Sequence, residues 1–197
     1  MALRIVGVTK THPIEVARAA VAAGISRLGE NRVQEAEPKV AAVPEAEWHF
    51  VGRLQSNKAR RAVRAFAVIH SIDSLDLLDR VAEVARDEAA APRLLLQVNL
   101  VEDAAKGGFS SNVLIAAAPA LAGHNLVGLM TIGPIGDPET VARPVFARLR
   151  ELRDRLEQAA GIGLPELSMG MTADAAAAAA EGATLVRIGT ALFGSRP

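Results

Sequence analysis

Short runs rich in Val, Ile and Leu recur along the chain, each separated from the next by a longer stretch whose apolar positions repeat at helical spacing. Eight such runs fall at residues 5–9, 27–30, 48–52, 68–72, 94–100, 127–133, 166–170 and 185–189. Their nearly unbroken apolar character is that of parallel strands covered on both faces. Between them the spacing predicts helices over 13–23, closed by Gly24, over 74–89, opened by a Ser74 cap, and over 111–122, closed by Gly123. The alanine tract 175–180 is a further helix former. Eight strand–helix units without a linker or a break in composition predict an α/β fold, a (β/α)₈ TIM barrel, with residues 1–197 as one domain. An open doubly wound sheet is the alternative, but neither Gly-x-Gly-x-x-Gly after the first strand nor a Gly-x-x-x-x-Gly-Lys-Ser/Thr loop is found. At 197 residues the chain is short for a barrel, which takes about 250, so sparse connections are expected.

Composition narrows the function. Half the residues are hydrophobic and 22% are charged, which excludes a disordered chain. Lys plus Arg equals Asp plus Glu at 22 each, so no net field draws nucleic acid or an anionic membrane, and a small-molecule partner is expected. No apolar stretch reaches the ~20 residues of a membrane span. The N-terminus runs straight into a strand without a leader pattern, so a cytoplasmic location is expected. Cysteine is absent, which removes thiol nucleophiles and Cys-based metal sites; no metal centre is expected.

Barrel sites lie at the carboxyl ends of the strands, so the residues there carry the candidate chemistry. The first strand ends at Lys10, where partial burial disfavours the ammonium and frees the amine to attack a carbonyl; a solvated strand-end lysine is the plain alternative. The second delivers Asn31, an amide donor to a ligand or a helix cap. His49 lies within the third strand and reads as a satisfied core histidine. The basic stretch Lys58, Arg60, Arg61 and Arg64 lacks interleaved aromatics and reads as a solvated helix face. The last two strands end in Ser168-Met169-Gly170 and Arg187-Ile188-Gly189-Thr190, with hydroxyls and open backbone suited to phosphate, or to capping a helix. In a closed barrel these ends neighbour Lys10. An amine beside a phosphate cradle fits a phosphorylated aldehyde, either pyridoxal 5′-phosphate (PLP) or the substrate of a Schiff-base aldolase.

The chain resembles the pyridoxal phosphate homeostasis protein family, relatives of the N-terminal barrel of alanine racemase. The resemblance runs from Ile5 to Pro197. It rests on Val8-Thr9-Lys10-Thr11, Gly29-Glu30-Asn31-Arg32-Val33-Gln34-Glu35, Trp48-His49-Phe50-Val51-Gly52, His70-Ser71-Ile72-Asp73-Ser74, Lys106-Gly107-Gly108-Phe109, Leu167-Ser168-Met169-Gly170-Met171 and Arg187-Ile188-Gly189-Thr190-Ala191-Leu192-Phe193-Gly194. It implies the fold type III barrel of PLP proteins, with Lys10 forming the Schiff base to PLP, Asn31 on the ring-hydroxyl side, Arg187 at the pyridine nitrogen, and Ser168, Gly189 and Thr190 at the phosphate. The chain departs from the family pattern in lacking a helix before the first strand, in carrying His12 where a second lysine is common, and in stopping at Pro197.

A two-base racemase needs an acid/base opposite the lysine, a tyrosine in alanine racemase, and this chain has none. An arginine at the ring nitrogen disfavours its protonation and weakens carbanion stabilisation. A protein that holds, buffers or delivers PLP without robust turnover is therefore expected, a monomer with PLP-dependent apo-enzymes as partners. A PLP-dependent amino-acid racemase or a class I aldolase using Lys10 is the alternative.

Overall fold

A computed structural model describes residues 2–101 and 106–194 of the chain; residues 195–197, where the sequence leaves the family pattern at its end, lie outside them. Strands β1 (Arg4–Val8), β2 (Arg27–Glu30), β3 (Glu47–Phe50), β4 (Val68–Ile72), β5 (Arg93–Gln97), β6 (Leu126–Met130), β7 (Glu166–Ser168) and β8 (Leu185–Ile188) are parallel, and each pairs with the next. The β8–β1 pairing, with Arg4 beside Leu185 and Gly7 beside Ile188, closes the ring and decides for a barrel over an open sheet.

Helices α1 (Ile14–Ala22), α2 (Val33–Ala42), α3 (Ala59–Ala65), α4 (Leu75–Asp87), α5 (Ser111–Ala116), α6 (Arg143–Ala160), α7 (Ala175–Ala180) and α8 (Thr190–Phe193) each follow the strand of the same number. The Ser74 hydroxyl accepts from Leu77 N–H at 3.2 Å, the cap expected at that start. The helix expected over 111–122 stops at Ala116 and continues as a tighter turn over Ala118–Ala120, because Pro119 has no N–H to donate and its ring crowds the preceding turn. Several apolar runs outlast the ladder. Val98, Leu100 and Thr131 follow the ends of β5 and β6 yet are buried, and the Val98 and Thr131 N–H groups still donate to the Met130 and Ser168 carbonyls at 2.8 and 3.1 Å. Apolar patterning reports burial; pairing is a separate matter.

Two cores result. Outward-facing strand residues such as Leu28, Phe50, Ile69 and Leu96 pack beneath the helices with Leu78, Phe146 and Leu149, each buried side chain contributing about 1.5–3 kcal/mol of transfer energy. Inside the barrel the lining is divided: Val68, Leu95 and Met130 form a small apolar cluster, whereas β3, β4, β7 and β8 contribute the buried polar groups His49, His70, Ser168 and Arg187. At the amino-terminal end of the strands Glu47 meets Arg27 at 3.1 Å and Arg93 at 2.6 Å, and Arg4 pairs with Glu166. These charges close the floor of the barrel. The basic stretch on α3 is neutralised as a solvated face: Arg60 and Arg64 pair with Glu88, and Arg61 with Glu37.

Candidate functional site

At the carboxyl ends of the strands a cavity of about 390 Å³ is lined by Val8, Lys10, Asn31, Val51, Ile132, Met171, Thr172, Ala173, Arg187, Gly189 and Thr190, within the size range of small-molecule sites. Barrel closure brings the ends of β1, β2 and β8 together, so five of the six residues singled out from the sequence, Lys10, Asn31, Arg187, Gly189 and Thr190, share this one space. Lys10 is half-buried, and Thr11 after it holds a φ of +67°, uncommon for a residue with a Cβ. The backbone that presents Lys10 is therefore a fixed turn. Lys39 and Lys106 are committed elsewhere, to Glu30 and to the Gly133 carbonyl respectively, and Lys58 lines a neighbouring cleft with Arg53 and Gln55.

Asn31 does not act as a cap. The residue preceding α2 is Arg32, and no side chain caps that helix. The Asn31 Oδ1 is instead shielded from solvent with no hydrogen-bond partner among the described residues, and a buried acceptor of this kind calls for a donor from a bound molecule or water. Gly189 tells a similar story by the space around it. Its φ of −116° suits any residue, and an added Cβ would make only ordinary contact with Val8, 3.4 Å from its carbonyl oxygen. Neither strain nor packing demands glycine there, and the missing side chain leaves backbone open at the cavity wall. Gly170 differs. At φ +86°, with an added Cβ 2.5 Å from that of Ala178, it is required by the fold, and it turns the chain so that Met171, Thr172 and Ala173 reach the mouth.

Ser168, expected among the phosphate contacts, lies inside the barrel and does not line the cavity. Its hydroxyl accepts from Arg187 Nη1 at 2.8 Å and is bonded to His70 Nδ1 at 2.8 Å. Arg187 also donates from Nη1 to the Ser168 carbonyl and from Nη2 to the Thr131 carbonyl, both at 2.9 Å. Burial pulls its pKa down to about 10, partly offset by Asp174, so it remains a cation at neutral pH. Three of the five N–H groups of a guanidinium are thus given to protein acceptors, fixing its plane at the cavity wall.

Thr172 and Lys39 escaped the sequence reading, as did the polar chain to which His49 belongs. Thr172 supplies a hydroxyl at the cavity, detectable only once the turn at Gly170 is known. His49 is bonded on both ring nitrogens, to Glu47 and to His70, so it is satisfied as a core histidine but within a chain of polar groups. Lys39, 5% exposed, donates to Glu30 Oε1 at 2.6 Å and to the Thr9 carbonyl at 2.7 Å, while the Thr9 hydroxyl donates to the same carboxylate at 2.7 Å. This buried cluster anchors the residue preceding Lys10.

The family described as alanine racemase, N-terminal domain, matches residues 3–197. A pyridoxal phosphate homeostasis protein of Synechocystis is 41% identical over 98% of this chain and 92% of its own length, and that of Aquifex aeolicus is 42% identical over 98% and 87%. The chain belongs to the pyridoxal phosphate homeostasis protein family. Among solved structures, PipY of Synechococcus elongatus with PLP bound superposes with a TM-score of 0.92 at 43% identity, covering 98% of this chain and 92% of that one. PipY without PLP gives 0.93. Alanine racemase from Corynebacterium glutamicum shares the fold, with a TM-score of 0.81 at 16% identity over 57% of its length. Among the described residues of this chain no helix is long and apolar enough to cross a membrane.

Proposed function

We propose that the chain is one PLP-binding barrel domain that holds PLP on Lys10 and buffers or delivers it in the cytoplasm, without robust catalysis of its own. The observation that carries this reading is the convergence of Lys10, Asn31, Arg187, Gly189 and Thr190 on one cavity. The naming of its relatives and the PLP-bound form of PipY support it. PLP supplies an aldehyde that condenses reversibly with a primary amine, losing water. Lys10 presents that amine from a rigid turn. Asn31 Oδ1, with no partner among the described residues, accepts on the ring-hydroxyl side, directly or through a water. Gly189, Thr190 and Thr172, which line the same cavity, offer backbone N–H and hydroxyl donors to a phosphate. Ser168 is not assigned a phosphate contact; it positions Arg187.

Arg187 has donors only, so it favours an unprotonated ring nitrogen and disfavours carbanion chemistry. The sequence holds no tyrosine to act as a second acid/base. PLP-dependent apo-enzymes are the recipients and a monomer is the working state in this reading. Ultraviolet–visible spectra of wild type and Lys10→Ala with added PLP test it. Wild type is expected to show a visible band that competing inorganic phosphate weakens and that Lys10→Ala lacks. Borohydride trapping followed by mass spectrometry should place the pyridoxyl group on Lys10. An adduct confined to Lys39, Lys58 or Lys106, or racemisation of alanine at ordinary enzyme rates, would overturn the proposal.

A further inference from the structure

The polar half of the barrel interior forms a continuous line from the floor to the mouth. Glu47 Oε1 and His49 Nε2 are 2.9 Å apart, His49 Nδ1 and His70 Nε2 2.8 Å, His70 Nδ1 and Ser168 Oγ 2.8 Å, and Ser168 Oγ and Arg187 Nη1 2.8 Å. The two imidazole rings are buried, with centroids 5.1 Å apart and planes inclined by 56°. We propose that Glu47, His49, His70 and Ser168 form an axial relay whose single hydrogen-bond direction, set by the Glu47 carboxylate at the floor, positions Arg187 at the cavity on the opposite face.

The direction follows from donor and acceptor counting. An ionised carboxylate only accepts, so His49 carries its proton on Nε2. Burial keeps both histidines neutral, pushing their pKa values below the ordinary one and that of His70 well below. A neutral His49 then accepts at Nδ1, which requires the proton of His70 on Nε2. His70 Nδ1 accepts in turn, and the only proton available to it is that of the Ser168 hydroxyl. The Ser168 oxygen is left with lone pairs alone to offer Arg187, whose guanidinium donates into it. Every link is satisfied once, and reversing any one of them would set two donors or two acceptors face to face.

The charged groups around the two ends support this polarity. Arg27 and Arg93 contact Glu47, and Arg4 with Glu166 completes the floor, so the carboxylate is held ionised with a pKa of about 2, lowered first by the hydrogen bond from His49. Asp174 is the charge that acts on Arg187 at the mouth. An internal space of about 10 Å³, bounded by Arg4, Glu47, His49 and Glu166, is about the size of one water and lies at the floor end. The relay is distinct from the ligand contacts: none of Glu47, His49, His70 and Ser168 lines the cavity. They are positioning residues, and their effect on a bound ligand passes through Arg187.

The role in ligand binding rests on the proposed function, whereas the relay itself is tested in the ligand-free protein. In ¹³C,¹⁵N-labelled protein carrying His12→Gln and His124→Gln to simplify assignment, NMR at pH 7.5 is expected to show His49 and His70 both neutral and both protonated at Nε2, with a scalar coupling across the His49 Nδ1···H–Nε2 His70 bond. The ¹³C shift of the Glu47 carboxyl should stay that of the ionised form down to pH 4. A charged ring, a proton on Nδ1 of either histidine, a missing coupling or a protonated Glu47 overturns the relay, and these measurements need no relay variant to fold. Ser168→Ala is expected to shift the Arg187 guanidinium resonances and to weaken PLP binding about tenfold, with recovery in Ser168→Thr. Unchanged Arg187 resonances in Ser168→Ala overturn the positioning role. Failure of wild type to bind PLP would sink the proposed function while leaving the ligand-free result to decide on the relay.

Discussion

Lys39 tests how the rim of the barrel is built, because its ammonium lies almost wholly out of solvent against a carboxylate that is wholly out of it. Lys39→Met keeps the length and apolar stem of the side chain but leaves Glu30 facing only the Thr9 hydroxyl, since its other oxygen has no hydrogen-bond partner among the described residues. Exposed ion pairs are worth about 0–1 kcal/mol. Removing one partner of a buried pair costs about 3–5 kcal/mol, because the remaining charge stays desolvated. The pair here is 2.6 Å apart with side chains 6% and 0% exposed, so the larger figure applies. Against a total stability of about 5–15 kcal/mol for a domain, this is a substantial fraction. Urea unfolding at pH 7 measures it as a fall in midpoint. The double variant Glu30→Gln/Lys39→Met, which removes both charges, should recover at least half of the loss. A cost below about 1 kcal/mol for Lys39→Met, or a double variant no more stable than the single, would refute the account of the pair as a buried and mutually dependent unit.

Further outcomes follow from the two rim glycines and from the buried acids and bases. Gly170→Ala should destabilise by about 2–5 kcal/mol, combining a left-handed backbone with a steric conflict, as read by thermal unfolding. Gly189→Ala should stay within about 1 kcal/mol of wild type yet weaken PLP binding by tenfold or more; equal stability losses at the two sites would contradict the assignment. His49 and His70 have folded pKa values below the unfolded one, so their contribution is complete above about pH 6.5 and is lost as pH falls. Stability by urea unfolding should therefore decline from pH 7.5 to 5.5, and His70→Asn should flatten that slope. Glu47, lowered to about 2, contributes stability above its unfolded value and loses it as pH falls through 2. Glu47→Gln should accordingly cost more at pH 7 than at pH 2.

The barrel was legible because eight buried strands leave eight apolar runs, and the mouth residues because strand ends are marked by where those runs stop. Lys10 and Asn31 needed nothing more than this. Ser168 shows where such reading stops. Residues 166 and 168 share a face, and Glu166 points into the floor, so Ser168 points inward one layer below the rim; a strand-end position alone does not distinguish a rim residue from an interior one. The relay was invisible for a different reason. Its links join β3 to β4 and then cross the barrel to β7, a separation of 98 residues between His70 and Ser168, and no spacing rule connects side chains that meet only across a closed interior. Likewise Lys39 looks like one more polar position on a surface helix until α2 is seen to seat it against β2.

The cavity owes its lining to the ends of six different strands, β1, β2, β3, β6, β7 and β8, together with the loops that follow them. No fragment of the chain assembles it, and opening the ring at any seam takes it apart. Occupancy of the mouth is therefore a readout of the integrity of the entire ring. A bound molecule raises the resistance of distant helices to proteolysis through mass action alone, and damage far from the rim lets the cargo go.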